Sequence, residues 1–188
     1  MKKICHWSGT DALTLIKNPP GNRIWYLKLI FYRLKWKILY RIFDEHYIVH
    51  EKLRKYLIEF GIDSSKINVK ANPILYNQKF KKKKHKEFNV LYYHPRPSNL
   101  GGEKFIRWIY GIDIIEKIKD INFIKVDGYQ DLSKIYPVID FYLRPSRHDG
   151  MPRMIRECEK NEIPYYYSEN GNPSINDIKK CLENENRQ

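Results

Sequence analysis

The chain has 188 residues, of which 42% are hydrophobic, so one large domain or two small ones can form a core and disorder is not expected. No apolar run reaches the ~18 residues of a membrane span, and the run after Met1-Lys2-Lys3 is too short for a signal peptide, which predicts a cytoplasmic protein. The net charge of +13 predicts a phosphate-bearing partner (nucleotide, nucleic acid or anionic lipid), although an AT-rich genome would also enrich lysine.

The first half of the chain alternates between short strands and helices. Predicted strands are Ile4–Trp7, Glu45–Val49 and Lys66–Ala71. Predicted helices run from the Ser8–Asp11 turn to Leu15, from Asn22 to Ile42, and from His50 to Phe60, with Gly61 as the C-terminal glycine.

The long predicted helix between residues 22 and 42 is both apolar and basic. It contains Trp25 and Trp36, and six lysines and arginines are interleaved with its apolar residues. Core packing is the usual role of such a helix, but this composition also fits a helix that lies in a membrane interface. Contact with a membrane surface through residues 22–42, on the cytoplasmic face, is therefore one of two interpretations.

Apolar periodicity stops after Asn72-Pro73, and Pro, Asn and the charge block Lys81–Lys84 replace it. This change predicts a partial N-terminal domain at 1–74, a basic linker at 75–87, and a second domain at 88–188. The lysine block is most simply a solvated linker, with contact to anionic lipid or nucleic acid as the alternative.

The second half alternates more regularly, which predicts βαβ units and a parallel sheet. Predicted strands are Phe88–Tyr93, Ile121–Val126, Val138–Leu143 and Ile163–Tyr167. Predicted helices are Glu103–Lys119, Leu132–Tyr136, Pro152–Lys160 and Ile175–Leu182.

The loop after the strand that ends at Leu143 carries the clearest chemical signal. Ligands bind beyond the carboxyl ends of the strands in open α/β sheets, and the helix opening at Pro152 presents free N–H groups suited to a diphosphate. Asp149 lies in the loop and Glu157 lies eight positions later. Two carboxylates so placed can accept hydrogen bonds from the vicinal hydroxyls of a sugar or ribose.

Asp149-Gly150-Met151-Pro152 with Glu157 resembles the E-x7-E signature of retaining GT-B-fold glycosyltransferases of family 4, also called group 1, with Asp in place of the first Glu. The flanking Arg144-Pro145-Ser146 and Ile163-Pro164-Tyr165 are similar to the motifs on either side of that signature. The resemblance implies an α/β, GT-B-like fold, in which a Rossmann-like donor domain follows a partial acceptor domain. It also implies that Asp149 contacts the donor sugar, that Glu157 binds the nucleotide ribose, and that Gly150 and Met151 belong to the donor-binding loop.

The first half resembles the same family. Cys5 to Asp11 is similar to the strand and loop that carry the family's histidine, which implies that His6 lies at the reaction centre. Ile48-Val49-His50 and Lys66 to Pro73 resemble segments that precede the family's domain linker. The family's opening strands have no counterpart here, so the chain resembles an N-terminally shortened member.

The phosphate-binding residues of this family follow the first strand of the donor domain. Arg96 and Lys104 occupy that region, and Arg107 is a third candidate. These cations and the helix start would neutralise the leaving diphosphate, so the resemblance implies no metal and no cofactor. The cysteine spacing also predicts no zinc site or disulfide framework, since Cys5, Cys158 and Cys181 form no C-x-x-C pair and are expected to be isolated thiols.

The implied function is transfer of a sugar from a UDP-, GDP- or similar nucleotide sugar to an acceptor such as a glycan or a lipid-linked sugar, with retention of configuration. The missing front strands leave two further interpretations: a partner chain completes the acceptor domain, or the protein is a non-catalytic nucleotide-sugar-binding subunit or a degenerate remnant. The charge leaves a third, a basic nucleic-acid-binding protein, although no recognised motif supports it.

Overall fold

The computed structural model describes residues 2–18, 23–71, 73–76, 79–96, 102–148, 152–168 and 171–186. The chain divides into two compact units. Unit 1 comprises Met1–Pro73, Asn99–Phe105 and His148–Met151, and unit 2 comprises Ile74–Ser98, Ile106–Arg147 and Pro152–Gln188. Among the described residues, no helix combines the length and the apolar character needed to cross a membrane.

Unit 1 contains a three-stranded parallel sheet with strand order β1-β2-β3. The strands are β1 (Ile4–Trp7), β2 (Glu45–Ile48) and β3 (Ile67–Val69). Side chains alternate between the two faces, so Trp7 and Ile48, which pair in register, are buried on one face. On the other face, Ile4 and His6 are exposed.

Helices cover the buried face of the unit 1 sheet. They are α1 (Gly9–Ile16), α2 (Arg23–Leu39) and α3 (Arg54–Phe60), with 3₁₀ turns at Tyr40–Ile42, Glu51–Leu53 and Ser64–Lys66. Leu53, Leu57 and Ile62 join the core beneath them. Gly61 ends α3 in the left-handed conformation, as predicted.

Unit 2 contains a four-stranded parallel sheet with strand order β5-β4-β6-β7. The strands are β4 (Asn89–Tyr93), β5 (Asn122–Val126), β6 (Phe141–Arg144) and β7 (Tyr165–Tyr167). The helices of unit 2 are α5 (Ile112–Ile115), α6 (Leu132–Ile135), α7 (Arg153–Lys160) and α8 (Ile175–Asn186). Helix α4 (Gly102–Ile109) begins in unit 1 and continues into unit 2 after Phe105. Residues of α5 and α8 pack with the buried strands β4 and β6 to form the core.

The structure corrects two of the predicted elements. The single helix predicted at Glu103–Lys119 is wrong, because Gly111 has a φ of +67° and separates α4 from α5. The strand predicted at Val138–Leu143 starts later, at Phe141, because Tyr136–Val138 forms a 3₁₀ turn around Pro137.

The segment predicted as a linker, residues 75–87, is part of unit 2 and packs against other residues of that unit. The Phe80 amide donates to Asn161 Oδ1 at 2.8 Å, and the Lys83 amide donates to the Pro137 carbonyl at 2.7 Å. Lys82 forms an ion pair with Asp140 at 2.7 Å. The segment therefore follows the surface of unit 2, and part of its charge faces carboxylates of that unit.

Candidate functional site

The carboxyl ends of the four parallel strands of unit 2 form one edge of the sheet. The chain passes from β4 to β5 on one side and then returns to the other side of β4 with β6. In open parallel sheets, ligands bind at such a switch point, beyond the carboxyl ends of the strands. The residues that end β4 and β6 are therefore the first candidates for a binding site.

Arg144, the last residue of β6, is 6% exposed. Its guanidinium carbon lies 4.5 Å from the centre of the Tyr110 ring and 5.0 Å from that of Tyr93, the last residue of β4. The two rings meet edge to face, with 5.4 Å between their centres. Aromatic faces attract a cation, so the arrangement holds a buried positive charge at the switch point.

Sequence reasoning did not assign a role to Arg144, which it used only as part of a flanking motif. The signal was present, since an arginine ends a strand whose other residues, Phe141 to Leu143, are apolar or aromatic. A charged residue at the carboxyl end of a buried strand in an open α/β sheet points towards ligand binding rather than packing.

The loop that follows β6 is held by two close backbone contacts. A Cβ atom added to Gly111 would lie 2.1 Å from the carbonyl oxygen of Pro145. A Cβ added to Gly171, whose φ is +71°, would lie 2.3 Å from the carbonyl oxygen of Arg147. Only glycine permits these approaches, so the two contacts constrain the backbone of this loop.

Arg147 anchors the same loop through its side chain. Its guanidinium donates to both carboxylate oxygens of Asp113 at 2.7 Å and to the Trp108 carbonyl at 2.6 Å. Burial opposes ionisation of Asp113, but the hydrogen bond and charge of Arg147 outweigh it and lower the pKa of Asp113. Because the charge of Arg147 is paired inside the protein, this residue positions the loop.

Ser146 lies between these anchors and is fully buried. Within the part of the chain that the structure describes, its hydroxyl makes no hydrogen bond. Buried hydroxyl groups are normally satisfied, and a hydroxyl at the switch point is suited to donate to an oxygen of a bound phosphate.

Glu157 lies on α7, and its side chain is completely enclosed. Its Oε2 accepts a hydrogen bond from the Tyr136 hydroxyl at 2.6 Å, and its Oε1 accepts one from the Leu75 amide at 3.1 Å. The Nε atom of Arg153 lies 3.5 Å from Oε1. The carboxylate therefore joins the segment at Leu75 to α7, and a ligand reaches it only if one of these contacts opens.

Arg96 follows β4 and is exposed, with 67% of its side chain accessible. Its Nε donates to Asp127 at 2.7 Å, and its guanidinium lies 4.4 Å from the centre of the Tyr129 ring. The hydrogen bond from Arg96 is the main reason why the pKa of Asp127 is lowered. A guanidinium has five N–H donors, so a pair formed through Nε is compatible with additional binding of a phosphate.

Lys104 and Arg107, the other phosphate candidates, lie on α4. Lys104 is exposed in the first turn of the helix. Arg107 forms a two-point ion pair with Glu116, one bond of which is 2.7 Å long. Of these two cations, Arg107 is committed to a contact within the protein.

Three predicted site residues, Asp149, Gly150 and Met151, lie outside the described residues. His6 lies in unit 1, on the exposed face of β1, with its ring centre 5.2 Å from that of Tyr47. Within the described ranges, no three His, Cys, Asp or Glu side chains are placed to hold a metal ion.

Two units with parallel sheets flanked by helices define a GT-B-like α/β fold. The fold is similar to that of TarM, a GT-B glycosyltransferase of S. aureus whose structure was determined as a point mutant in complex with Fondaparinux, alpha-GlcNAc-glycerol and UDP. The TM-score is 0.59 at 12% sequence identity, and the match covers 98% of this chain and 44% of TarM. The chain thus spans less than half the length of this neighbour, and at this identity the likeness concerns the fold.

No protein-family model matches the chain, and the curated proteins include none with significant sequence similarity to it.

Proposed function

We propose that the chain takes part in the transfer of a sugar from a nucleotide diphosphate sugar, with the diphosphate bound at the carboxyl edge of the unit 2 sheet. The observation that carries this proposal is the buried guanidinium of Arg144 at the switch point between β4 and β6. The GT-B-like fold supports it, as does the presence of UDP in the structure of TarM.

The proposed chemistry depends on stabilising the charge that develops on the leaving diphosphate. A cation that is fixed in a site of low dielectric does this without reorganisation during the reaction. Arg144 is fixed by Tyr93 and Tyr110, and the N-terminus of α7 adds the positive end of a helix dipole. Arg96 and Lys104 are proposed as further phosphate ligands.

The remaining roles follow from the family resemblance and are part of the same proposal. Asp149 contacts the donor sugar, Gly150 and Met151 bind the donor, and His6 lies at the reaction centre. The transfer proceeds with retention of configuration and without a metal ion. For Glu157 to accept hydrogen bonds from ribose hydroxyls, the hydrogen bond from the Leu75 amide must first open.

A second candidate function is a nucleotide-sugar-binding subunit that acts only with a partner chain. The observation that favours it is the exposure of Ile4 and His6 on one face of the unit 1 sheet. Parallel sheets are normally covered on both faces. A partner chain that packed on this face would supply that cover, and activity would then require both chains.

Thermal unfolding in the presence of UDP, GDP, ADP, CMP and their sugars tests the proposal. A ligand at 100 times its Kd stabilises the folded state by about 2.7 kcal/mol, which in a chain of this size raises the Tm by about 5–10 °C. We expect such a shift with one diphosphate family. A cooperatively folded sample whose Tm rises with none of these ligands would contradict the proposal.

Substitutions then locate the site. We expect Arg144→Gln to weaken binding of the stabilising nucleotide by at least about tenfold, because it removes a charge-assisted contact. Arg144→Lys keeps the charge and should retain part of the affinity. Arg54→Gln, which removes a guanidinium paired with Glu51 in unit 1, is the matched control. Nucleotide affinity that is equal in Arg144→Gln and Arg54→Gln, with both variants folded, would exclude Arg144 from the site.

A further inference from the structure

Helix α2 has a second apolar face, on the side that does not pack into unit 1. The side chains of this outer stripe are spaced three and four residues apart and are between 51% and 72% exposed: Ile24, Leu27, Ile30, Phe31, Leu34 and Ile38. Exposed apolar patches of this kind mark interaction surfaces, whereas single exposed apolar residues are common.

The inner face of α2 is already used. Trp25 and Leu29 are buried, and the Trp36 ring packs against the Trp7 ring with 4.6 Å between their centres. Arg33 donates to the Thr14 carbonyl at 2.9 Å. Because these contacts hold the helix in unit 1, the outer stripe is not a core face that the helix could bury by rotating.

The charges on α2 distinguish between the partners that could cover the outer stripe. Residues 23–42 include six lysines and arginines and no aspartate or glutamate. At 100° per residue, Lys28 and Lys35 lie along one side of the stripe and Lys37 lies along the other. Arg23 and Arg41 lie near its two ends. The apolar stripe is thus bordered by cations.

This border argues against a second copy of the chain. Two copies that paired through the outer stripe would bring their rows of lysines together, and the helix contains no carboxylate to compensate them. A bilayer with anionic lipids supplies both requirements, since its acyl chains accept the apolar stripe and its headgroups meet the lysines. With five charges along its length, the helix, about 25 Å long, fits the plane of the interface.

We propose that α2 docks unit 1 on the surface of an anionic membrane, with its outer stripe inserted at the level of the headgroups. The test is co-sedimentation of the chain with vesicles of phosphatidylcholine alone and with vesicles that contain one part phosphatidylglycerol to about three parts phosphatidylcholine. Binding to the anionic vesicles should be stronger by at least about tenfold and should weaken as salt is added.

The double variant Phe31→Gln/Ile38→Gln separates insertion from simple charge attraction, because it keeps every positive charge. We expect it to weaken binding to anionic vesicles by at least about tenfold at unchanged Tm, since two apolar side chains no longer insert. Ile58→Gln, which replaces an exposed apolar residue of α3 in the same unit, is the control and should bind as the parent does.

Two results would overturn the proposal. The first is vesicle binding that the double variant leaves unchanged, which would show that net charge alone attracts the chain. The second is a concentration-dependent dimer in analytical ultracentrifugation, without vesicle binding, that the double variant abolishes. That outcome would assign the outer stripe to a second copy.

Discussion

Replacement of Glu157 separates a structural role from the ligand-binding role that the family resemblance implies. The carboxylate is completely buried and accepts hydrogen bonds from the Tyr136 hydroxyl and the Leu75 amide. Burial and this hydrogen bond raise the pKa of Tyr136, so its hydroxyl stays protonated and acts as the donor. Two variants remove the charge in different ways, since Glu157→Gln keeps the polar end of the side chain and Glu157→Met does not.

The expected magnitudes follow from the two donors. In Glu157→Met the buried Tyr136 hydroxyl is left without a partner, at about 1–3 kcal/mol, whereas Leu75 is exposed and its amide can bond to water, so the loss of stability is about 1–3 kcal/mol. Glutamine can accept from the Leu75 amide through Oε1 and donate to the Tyr136 oxygen through Nε2. The glutamine variant loses the extra strength of hydrogen bonds to a charged group, but it also avoids the cost of burying a charge. The net loss of stability should be about 1 kcal/mol.

The assay is urea unfolding followed by circular dichroism, combined with calorimetric measurement of nucleotide affinity. The order of stability should be parent, then Glu157→Gln, then Glu157→Met. Tyr136→Phe in the background of Glu157→Met should cost less than in the parent, because the two groups form one contact. If Glu157→Met unfolds within about 0.5 kcal/mol of the parent and nucleotide affinity is lost, the carboxylate serves the ligand and the structural interpretation is refuted.

Three further predictions concern the loop after β6, pH and thiol reactivity. Gly111→Ala should lower the free energy of unfolding by about 2–5 kcal/mol, because the added Cβ would meet Pro145. The control Gly102→Ala has a similar positive φ but nothing within 4 Å of the added Cβ, so it should lower that free energy by only about 1–2 kcal/mol. Equal losses in chemical denaturation would show that the contact with Pro145 is unimportant. Burial lowers the pKa of His46, whose Nδ1 accepts a tryptophan N–H, so the unfolded chain binds more protons than the folded one at mildly acidic pH. The contribution of His46 to stability should therefore be fully present above about pH 6.5, and below that pH the free energy of unfolding should fall by up to about 1.4 kcal/mol per pH unit. His46→Gln should flatten this slope in denaturation curves measured between about pH 5 and 8. Burial also raises the pKa of the Cys158 thiol, so it should react with a thiol reagent at pH 8 only after unfolding; rapid labelling of the native chain at this position, located by mass spectrometry, would contradict the buried placement.

Local patterns predicted most elements of the fold, because short strands and amphipathic helices have distinct periodicities. The strand Ile4–Trp7 was predicted with the bounds that the structure gives. The helix predicted at Glu103–Lys119 failed at Gly111, where the backbone approaches the carbonyl of Pro145. That contact joins residues far apart in the chain, so the helical periodicity on either side of Gly111 could not reveal the break.

The candidate site shows the same limit. The D-x7-E spacing singled out Glu157, but its partners Leu75 and Tyr136 lie 82 and 21 residues away, and spacing cannot show that they enclose it. The arginine that ends the apolar strand at Arg144 was a usable signal, but its place beside β4 at the switch point depends on strand order, which sequence does not reveal. The proposed roles of Asp149 and His6 still rest on the resemblance.

The net charge of +13 is compatible with a nucleic acid or an anionic membrane as a partner. The positions of the carboxylates distinguish between these two partners. In the basic segment before β4, Lys79 pairs with Glu162 and Lys82 pairs with Asp140. These pairs reduce the positive field that a nucleic acid would meet there. On α2 the helix itself has no carboxylate, but its cations border exposed apolar side chains. A phosphate backbone would satisfy the cations and leave the apolar stripe in water, whereas an anionic membrane satisfies both.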